Sequence, residues 1–431
     1  MKTKKEGNAM ALLPIGVFLV IFLGAGCLTG DFYSMPAIVG FLIALCVAFI
    51  QNRKTGFEEK IRIIAGGVGD ENIITMCLIF LCAGAFSGTV TAAGGVESTV
   101  NLGLSILPTH FAVVGIFIIG CFISVSMGTS MGTIAALAPI AVGISEKTGI
   151  SMAICAGAVM CGAMFGDNLS MISDTTIAAV KTQGCEMKDK FKANFLIVLP
   201  AAVITVILLF LLTRNAKYVP AEALEYNILQ VIPYLLVLAG ALIGINVFAV
   251  LIGGTVLSAI VGVVTGALEL SQVFVKMGEG VTGMYDITVI SIIVACIVSL
   301  VKEYGGIQFL LHAIKKRIRT GKGAELGIAG LSLLVDMCTA NNTVAIVMTG
   351  PIAKEISDEF GVSPKRTASL LDIFTSVGQG MIPYGAQLLS AAGLMALTPY
   401  EIMPYLYYPV LMGISAVCFI MLGKRTKDQS S

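Results

Sequence analysis

Tryptophan is absent from this chain of 431 residues, histidine occurs only twice, and charged residues make up 12%. Ordinary soluble domains carry about 25% charged residues, so the scarcity of charge argues against a soluble domain. Without tryptophan, interfacial anchoring falls to Tyr, Lys and Arg. The two histidines, His110 and His312, fall at the edges of apolar runs and leave no obvious partner for a nucleophile. No G-x-x-x-x-G-K-[ST] sequence occurs, which removes the phosphate-cradling loop of a nucleotide hydrolase. The eleven cysteines are scattered through apolar runs without metal-ligand spacing. They read as small buried residues, and no disulfide is expected.

What the chain has is hydrophobic length: 57% of its residues are apolar and 48 are glycine, which suits close helix packing in lipid. Apolar segments fall at 11–28, 36–50, 71–93, 110–127, 131–145, 150–166, 192–213, 228–246, 247–267, 284–303, 324–338, 342–357, 363–378 and 402–423. A span needs about 20 such residues, so the expectation is an all-α polytopic membrane protein. MKTKKEGN followed by an apolar run resembles a signal peptide, and Cys27 after Gly-Ala-Gly resembles a lipoprotein cleavage site. Gly24 fits that site poorly and many spans follow, so 11–28 reads as the first span.

One stretch breaks the apolar pattern. Residues 161–176, CGAMFGDNLSMISDTT, hold Asp167 and Asp174 among Asn168, Ser170, Ser173, Thr175 and Thr176. An interrupted helix of this kind survives in lipid only where it lines a protein-walled cavity.

The chain also repeats itself. Ala138–Ser151 (APIAVGISEKTGIS) and Gly350–Ser363 (GPIAKEISDEFGVS) share seven of fourteen residues at a shift of 350 − 138 = 212. The same shift lays Gly166 on Gly378, Asp167 on Gln379, Asp174 on Ala386, and SMGTSMGTI on CTANNTVAI. The expected organisation is a first transmembrane repeat at 1–215, a linker at 216–226 and a second repeat at 227–431. Loop charge relates the halves. Loops 51–62 and 181–192 are rich in Lys and Arg while their mates carry none. Conversely, loop 105–110 is neutral while its mate holds Lys315, Lys316, Arg317, Arg319 and Lys322. By the positive-inside rule, equivalent loops lie on opposite sides, so the repeats have inverted topology. Residues 110–145 then enter and return on one side, as a re-entrant hairpin or a pair of spans, with GTSMGT at the tip; TANNT (339–343) is the matching tip. Two tips meeting beside two broken helices would build one site. The same counts put both termini on the cytoplasmic side of the cytoplasmic (inner) membrane.

The residues Gly128, Thr129, Ser130, Gly132 and Thr133, then Gly162, Ala163, Phe165, Gly166, Asp167, Ser170, Ile172, Ser173, Asp174, Thr175 and Thr176, resemble the NhaC family of Na+/H+ antiporters. Met131 and Met171 depart from that pattern, where the family usually has Trp and Pro; the strong match covers roughly 120–180. The resemblance implies a secondary transporter that exchanges Na+ for H+. It also admits a Na+- or H+-coupled exchanger of a small organic acid or amino acid.

The chemistry fits such an exchange. A carboxylate at membrane depth costs roughly 2.5–3.5 kcal/mol on insertion scales, unless it takes a cation or a proton. One carboxylate holds either but resists holding both. Asp167 is the candidate exchanging acid, with Asp174 as second acid or helix cap; these two are the candidate Na+ ligands. Further candidates for ion or substrate binding are Asn168, Ser170, Thr175, Thr129, Ser130 and Thr133 in the first half. In the second half they are Asp336, Asn341, Asn342, Thr343, Asp372 and Gln379, with a buried pair to some basic residue as the alternative for Asp372. No cofactor is expected beyond Na+ as the transported ion. The expected partners are Na+, H+ and the lipid bilayer, with no nucleic acid; a homodimer is one option for its assembly. Gly128-Thr-Ser130-Met-Gly132 also fits G-x-S-x-G. That motif needs a strand–turn–helix and a His; a glycine-rich tip explains the same residues, and an enzyme is not expected.

Overall fold

The computed structural model describes residues 7–29, 36–106, 108–171, 173–216, 225–243, 245–316 and 318–422. Both termini, most of the expected linker (217–224), Ile172 and Arg317 lie outside the described residues. Among the described residues all regular structure is helical. The first half contains α1 (Leu13–Thr29), α2 (Ala37–Ile50), α3 (Phe57–Val68), α4 (Glu71–Ala92), α5 (Gly95–Ile106), α6 (Thr109–Met127), α7 (Ser130–Thr148), α8 (Met152–Leu169), α9 (Asp174–Gln183) and α10 (Met187–Thr213). The second contains α11 (Ile228–Leu242), α12 (Val247–Val264), α13 (Val273–Gly283), α14 (Tyr285–Glu303), α15 (Gly306–Lys315) and α16 (Gly321–Thr339). It closes with α17 (Asn342–Phe360), α18 (Pro364–Met381), α19 (Ala386–Leu394), α20 (Pro399–Ile402) and α21 (Tyr407–Leu422).

By length and composition, five helical stretches among the described residues suffice to cross a membrane, or seven if two bent pairs count as one span each. The chain is therefore a multi-pass membrane protein with broken helices. One bent pair, α5 with α6, turns through 116°. In the stretch Met152–Gln183, which contains α8 and α9, an 18-residue apolar window is 78% buried inside the protein, against 33% for the window in α10. This is why a polar break is tolerated in the first: protein rather than lipid surrounds it. Helices α7, α16 and α17 have 19 residues each, or about 28 Å at 1.5 Å per residue. They are long enough to span but are not among the apolar candidates.

The repeat is written in the backbone. Ten described residues have positive φ: Asn52, Gly94, Gly128, Gly149, Gly184, Gly266, Gly305, Ala340, Gly361 and Ala396. They form five pairs 211 to 214 positions apart, such as Gly128 with Ala340 (340 − 128 = 212). Glycine suits this region and alanine is strained in it, so the turn geometry persists at Ala340 and Ala396 despite the side chain.

The packing is reciprocal. Helices α2 and α3 pack on α14, while α12 and α13 pack on α4. Likewise α9 packs on α17 and α18, while α19 packs on α7 and α8. The α4–α13 crossing is close because it is glycine on glycine: a Cβ on Gly84 would lie 2.4 Å from the Gly280 carbonyl oxygen. Small residues of this kind let backbones meet in lipid.

Two stretches read as loops are otherwise. The second half of 51–62 belongs to α3, and its Lys60 is buried, donating to the carbonyls of Phe49 (2.6 Å) and Gln51 (2.9 Å) at the end of α2. The end of 181–192 is the first turn and a half of α10, with Lys190 buried.

Candidate ion-binding site

The first tip forms because Gly128 ends α6 in the left-handed conformation and Thr129 caps α7, accepting from the Gly132 amide. The second tip is built alike: Ala340 ends α16 with φ 49°, and Asn341 caps α17, accepting from the Val344 amide at 2.9 Å. Each half then adds a break. Helix α8 stops at Leu169 and α9 starts at Asp174, while α18 stops at Met381 and α19 starts at Ala386.

Tips and breaks meet at a cavity of about 140 Å³. Its walls include Thr129, Ser130, Asp167, Asp174 and Thr175 from the first half, and Asn341, Asn342, Thr343 and Gln379 from the second. The first residues of α7, α9, α17 and α19 (Ser130, Asp174, Asn342 and Ala386) all line it. Four helix N-termini thus bring partial positive charge to one chamber, which favours carboxylates there. A larger cavity of about 370 Å³ adjoins, sharing Met76, Ala340, Asn341 and Ala386 and including Arg62 and Lys302 in its lining.

Asp167 is buried, with 5% of its surface exposed, and accepts from the Ser130 hydroxyl at 2.9 Å. One hydrogen-bonded line joins it to the second half. Gln387 donates to Ser130 at 3.2 Å, Gln379 donates to Gln387 at 2.7 Å, and Gln379 also reaches the Ala340 carbonyl at 3.3 Å. The Oε1 of Gln379 is buried with no hydrogen-bond partner among the described residues. Ser173, rather than Asp174, caps α9, accepting from the Thr176 amide and donating to the Asp167 carbonyl at 3.0 Å. Asp174 follows as the first helical residue and is exposed.

Beside the cavity lies a buried polar cluster. Lys190 of α10 and Asp372 of α18 form an ion pair with 1% and 0% exposure. The Lys190 ammonium also donates to the Asn168 carbonyl (2.8 Å) and to Thr176 Oγ1 (2.7 Å), tying together the two sides of the first break. Asn168 and Asn194 each donate to Asp372, at 3.0 and 3.2 Å, and Asn194 donates to the Asn168 side chain at 3.0 Å. Asp372 is thus held in a buried pair with a basic residue.

Five expected site residues do not line the cavity: Asn168 and Asp372, which belong to the polar cluster, and three more. Ser170 donates to the Val125 carbonyl at 2.8 Å and fastens the break to α6. Thr133 bonds back to the Thr129 carbonyl inside α7. Asp336 is fully buried in α16, outside the chamber. Conversely, reading by sequence misses Gln387, Lys190, Asn194 and Thr75, the last a further lining residue. The repeat shift would have found Gln387, which sits 212 positions after Thr175. Nothing local marks Lys190, because it stands among other lysines at the start of α10.

Paired broken helices and capped tips around a buried acid define a multi-pass membrane protein with an internal polar chamber. Comparison makes the class specific: the chain belongs to the Na+/H+ antiporter family, whose model matches residues 7–214 and again 211–424. It is similar to the Malate-2H(+)/Na(+)-lactate antiporter of Bacillus subtilis, 22% identical over 96% of this chain and 94% of that one. It is also similar to the Na(+)/H(+) antiporter NhaC of Alkalihalophilus pseudofirmus, 23% identical over 97% and 96%. Among solved structures, the Alcanivorax borkumensis YdaH transporter aligns with a TM-score of 0.42 at 14% identity, covering 90% of this chain and 98% of that one.

Proposed function

We propose that the protein exchanges Na+ for H+ across the cytoplasmic membrane by competition at Asp167. The observation that carries this reading is the hydrogen-bonded line from Asp167 through Ser130, Gln387 and Gln379 to the second tip. It ties one buried carboxylate to both halves, so the ligand on that carboxylate is coupled to how the halves sit together. The surrounding oxygens suit a hard cation: hydroxyls of Thr129, Ser130 and Thr175, side chains of Asn341 and Asn342, and the unpartnered Oε1 of Gln379. Asp174, exposed at the same chamber, is the second carboxylate on the ion's path. When Na+ reaches the protonated acid, the carboxyl O–H proton leaves to water and the carboxylate holds the cation; on the other side the reverse follows. The two repeats, 1–215 and 227–431, facing opposite ways with both termini cytoplasmic, would present this site to each side in turn.

In proteoliposomes with a pH dye inside, a Na+ pulse alone is expected to move protons, and Asp167→Asn is expected to abolish that movement. Unchanged exchange in the variant would overturn the assignment.

A second reading, a Na+- or H+-coupled exchanger of a small organic acid or amino acid, is favoured by the adjoining cavity. Its 370 Å³ is within the range of small-molecule sites. Arg62 and Lys302 in its walls, with four helix N-termini beyond, suit a solute carboxylate. The malate and lactate named for the Bacillus subtilis relative are of that class. Proton movement that requires an added solute besides Na+ would establish this reading over the first.

A further inference from the structure

Asp336 belongs to neither of these two cavities, yet it is a fully buried acid. It lies on α16 one turn before the second tip, with 0% of its surface exposed. Neither carboxyl oxygen has a hydrogen-bond partner among the described residues. Among the described residues, no basic group is placed to pair with it. Cys338 on α16 and Tyr384 after α18 are the titratable neighbours, and the Tyr384 hydroxyl is already given to the Met337 carbonyl at 2.5 Å. The elements packed on α16 hold charges, but these are engaged elsewhere or lie apart. On α18, Arg366 pairs with Glu325 at 3.0 Å and Asp372 pairs with Lys190. On α14, Lys302 and Glu303 line the larger cavity. On α15, His312 bonds to the Gln308 carbonyl. On α17, Lys354, Glu355, Asp358 and Glu359 fall in its last two turns, well past the tip. Helix α21 holds Tyr407, Tyr408 and Cys418 and no Lys, Arg or His. None of these bonds to Asp336.

The carboxyl is closely packed against α18. A Cβ on Gly378 of α18 would fall 2.5 Å from Asp336 Oδ2. The first half shows what this contact is in its neutral form. Ser124, 212 positions earlier, meets Gly166, where a Cβ would lie 2.3 Å from the Ser124 Cβ. Its hydroxyl donates to the Ala163 carbonyl at 2.6 Å. The second half therefore puts an acid where its mate needs only a hydroxyl.

We propose that Asp336 is a second proton-binding site, distinct from Asp167, whose proton is held while α16 and α18 are packed together and released when they part. An ionised carboxylate without donor or counter-ion in this packing carries a heavy desolvation cost, so the proton is part of the closed arrangement. Separation of α16 from Gly378 hydrates the acid, which then gives its proton to water as H+ and becomes the carboxylate; repacking needs that proton back. Proton binding is thereby linked to movement of the second tip, whatever cation or solute the Asp167 chamber handles.

The test is an infrared difference spectrum of the purified protein between acid and alkaline pH, read at the carbonyl stretch of protonated carboxyl groups. Wild type is expected to show a band that Asp336→Asn lacks, while Asp167→Asn keeps it. In proteoliposomes, Asp336→Asn is expected to move fewer protons per turnover, measured from the driving force at which flux reverses. Asp336→Ser, the residue of the matching first-half position, gives the same readout if the Asn variant fails to fold. Identical infrared difference spectra and an unchanged reversal point in these variants would overturn the proposal. Absence of any Na+-driven flux in wild type would count against the exchange reading instead, and the infrared arm would still decide the role of Asp336.

Discussion

The two tips share one backbone and differ in chemistry. In the first, Thr129 and Ser130 stand beside Asp167; in the second, Asn341 and Asn342 stand beside Gln379. The caps, the left-handed turns and the breaks coincide, yet the acid of one half is an amide in the other. The repeat keeps a way of opening helices, while the acid at the break stands in the first half alone. Two facing carboxylates would repel at close range. An acid facing an amide puts a buried carboxylate at Asp167 and a neutral amide opposite it at Gln379.

The largest expected break in this comparison is at the charge itself. Asp167→Asn makes positions 167 and 379 alike in charge and is expected to abolish Na+-driven proton movement, whereas Gln379→Ala is expected to leave measurable flux with weaker cation dependence. Flux in vesicles separates the two. Next comes the ion pair behind the site, which has no counterpart in the repeat: the mates of Lys190 and Asp372 are Ile402 and Met160. Lys190→Met strands a buried carboxylate, and loss of one partner from such a pair costs about 3–5 kcal/mol. Thermal unfolding in detergent is expected to fall accordingly, and the double change Lys190→Met with Asp372→Leu is expected to recover most of the loss. A smaller effect is expected at the caps. Asn341→Ala removes the 2.9 Å bond to Val344 and is expected to cost about 1 kcal/mol. Thr129→Ala loses a 3.5 Å bond and is expected to cost less. The smallest effect concerns the turn before each cap. Gly128→Ala is expected to destabilise by about 1 kcal/mol, and Ala340→Gly to stabilise by no more than that, since both positions are left-handed. Equal effects of one sign would break the equivalence of the turns.

Much of the chamber was legible from residues in a row. The tip GTSMGT, its mate TANNT and the break around Asp167 are polar interruptions of apolar sequence, and in lipid such interruptions need a shared cavity. The shift of 212 then brings Asp167 and Gln379 into register, and both line the chamber. Other residues were illegible for physical reasons. Lys190 stands among lysines that read as a solvated loop, and only the approach of α18 turns it into the partner of Asp372. Helix α13, with Lys276 and Glu279 on it, lacks the apolar run of a span; its place depends on the glycine contact with α4. Asp336 reads as part of the tip it precedes, but a helix carries it to a different neighbour, Gly378.

The sequence by itself determined that the chain spans a membrane, repeats once and breaks its helices at fixed points. Those properties follow from hydropathy, glycine placement and capping residues, which act over a few turns. Only the tertiary structure decided which acids face the chamber, which one meets a lysine and which one stands alone. Those outcomes depend on helices from opposite halves packing side by side, and no local pattern specifies a neighbour some two hundred residues away.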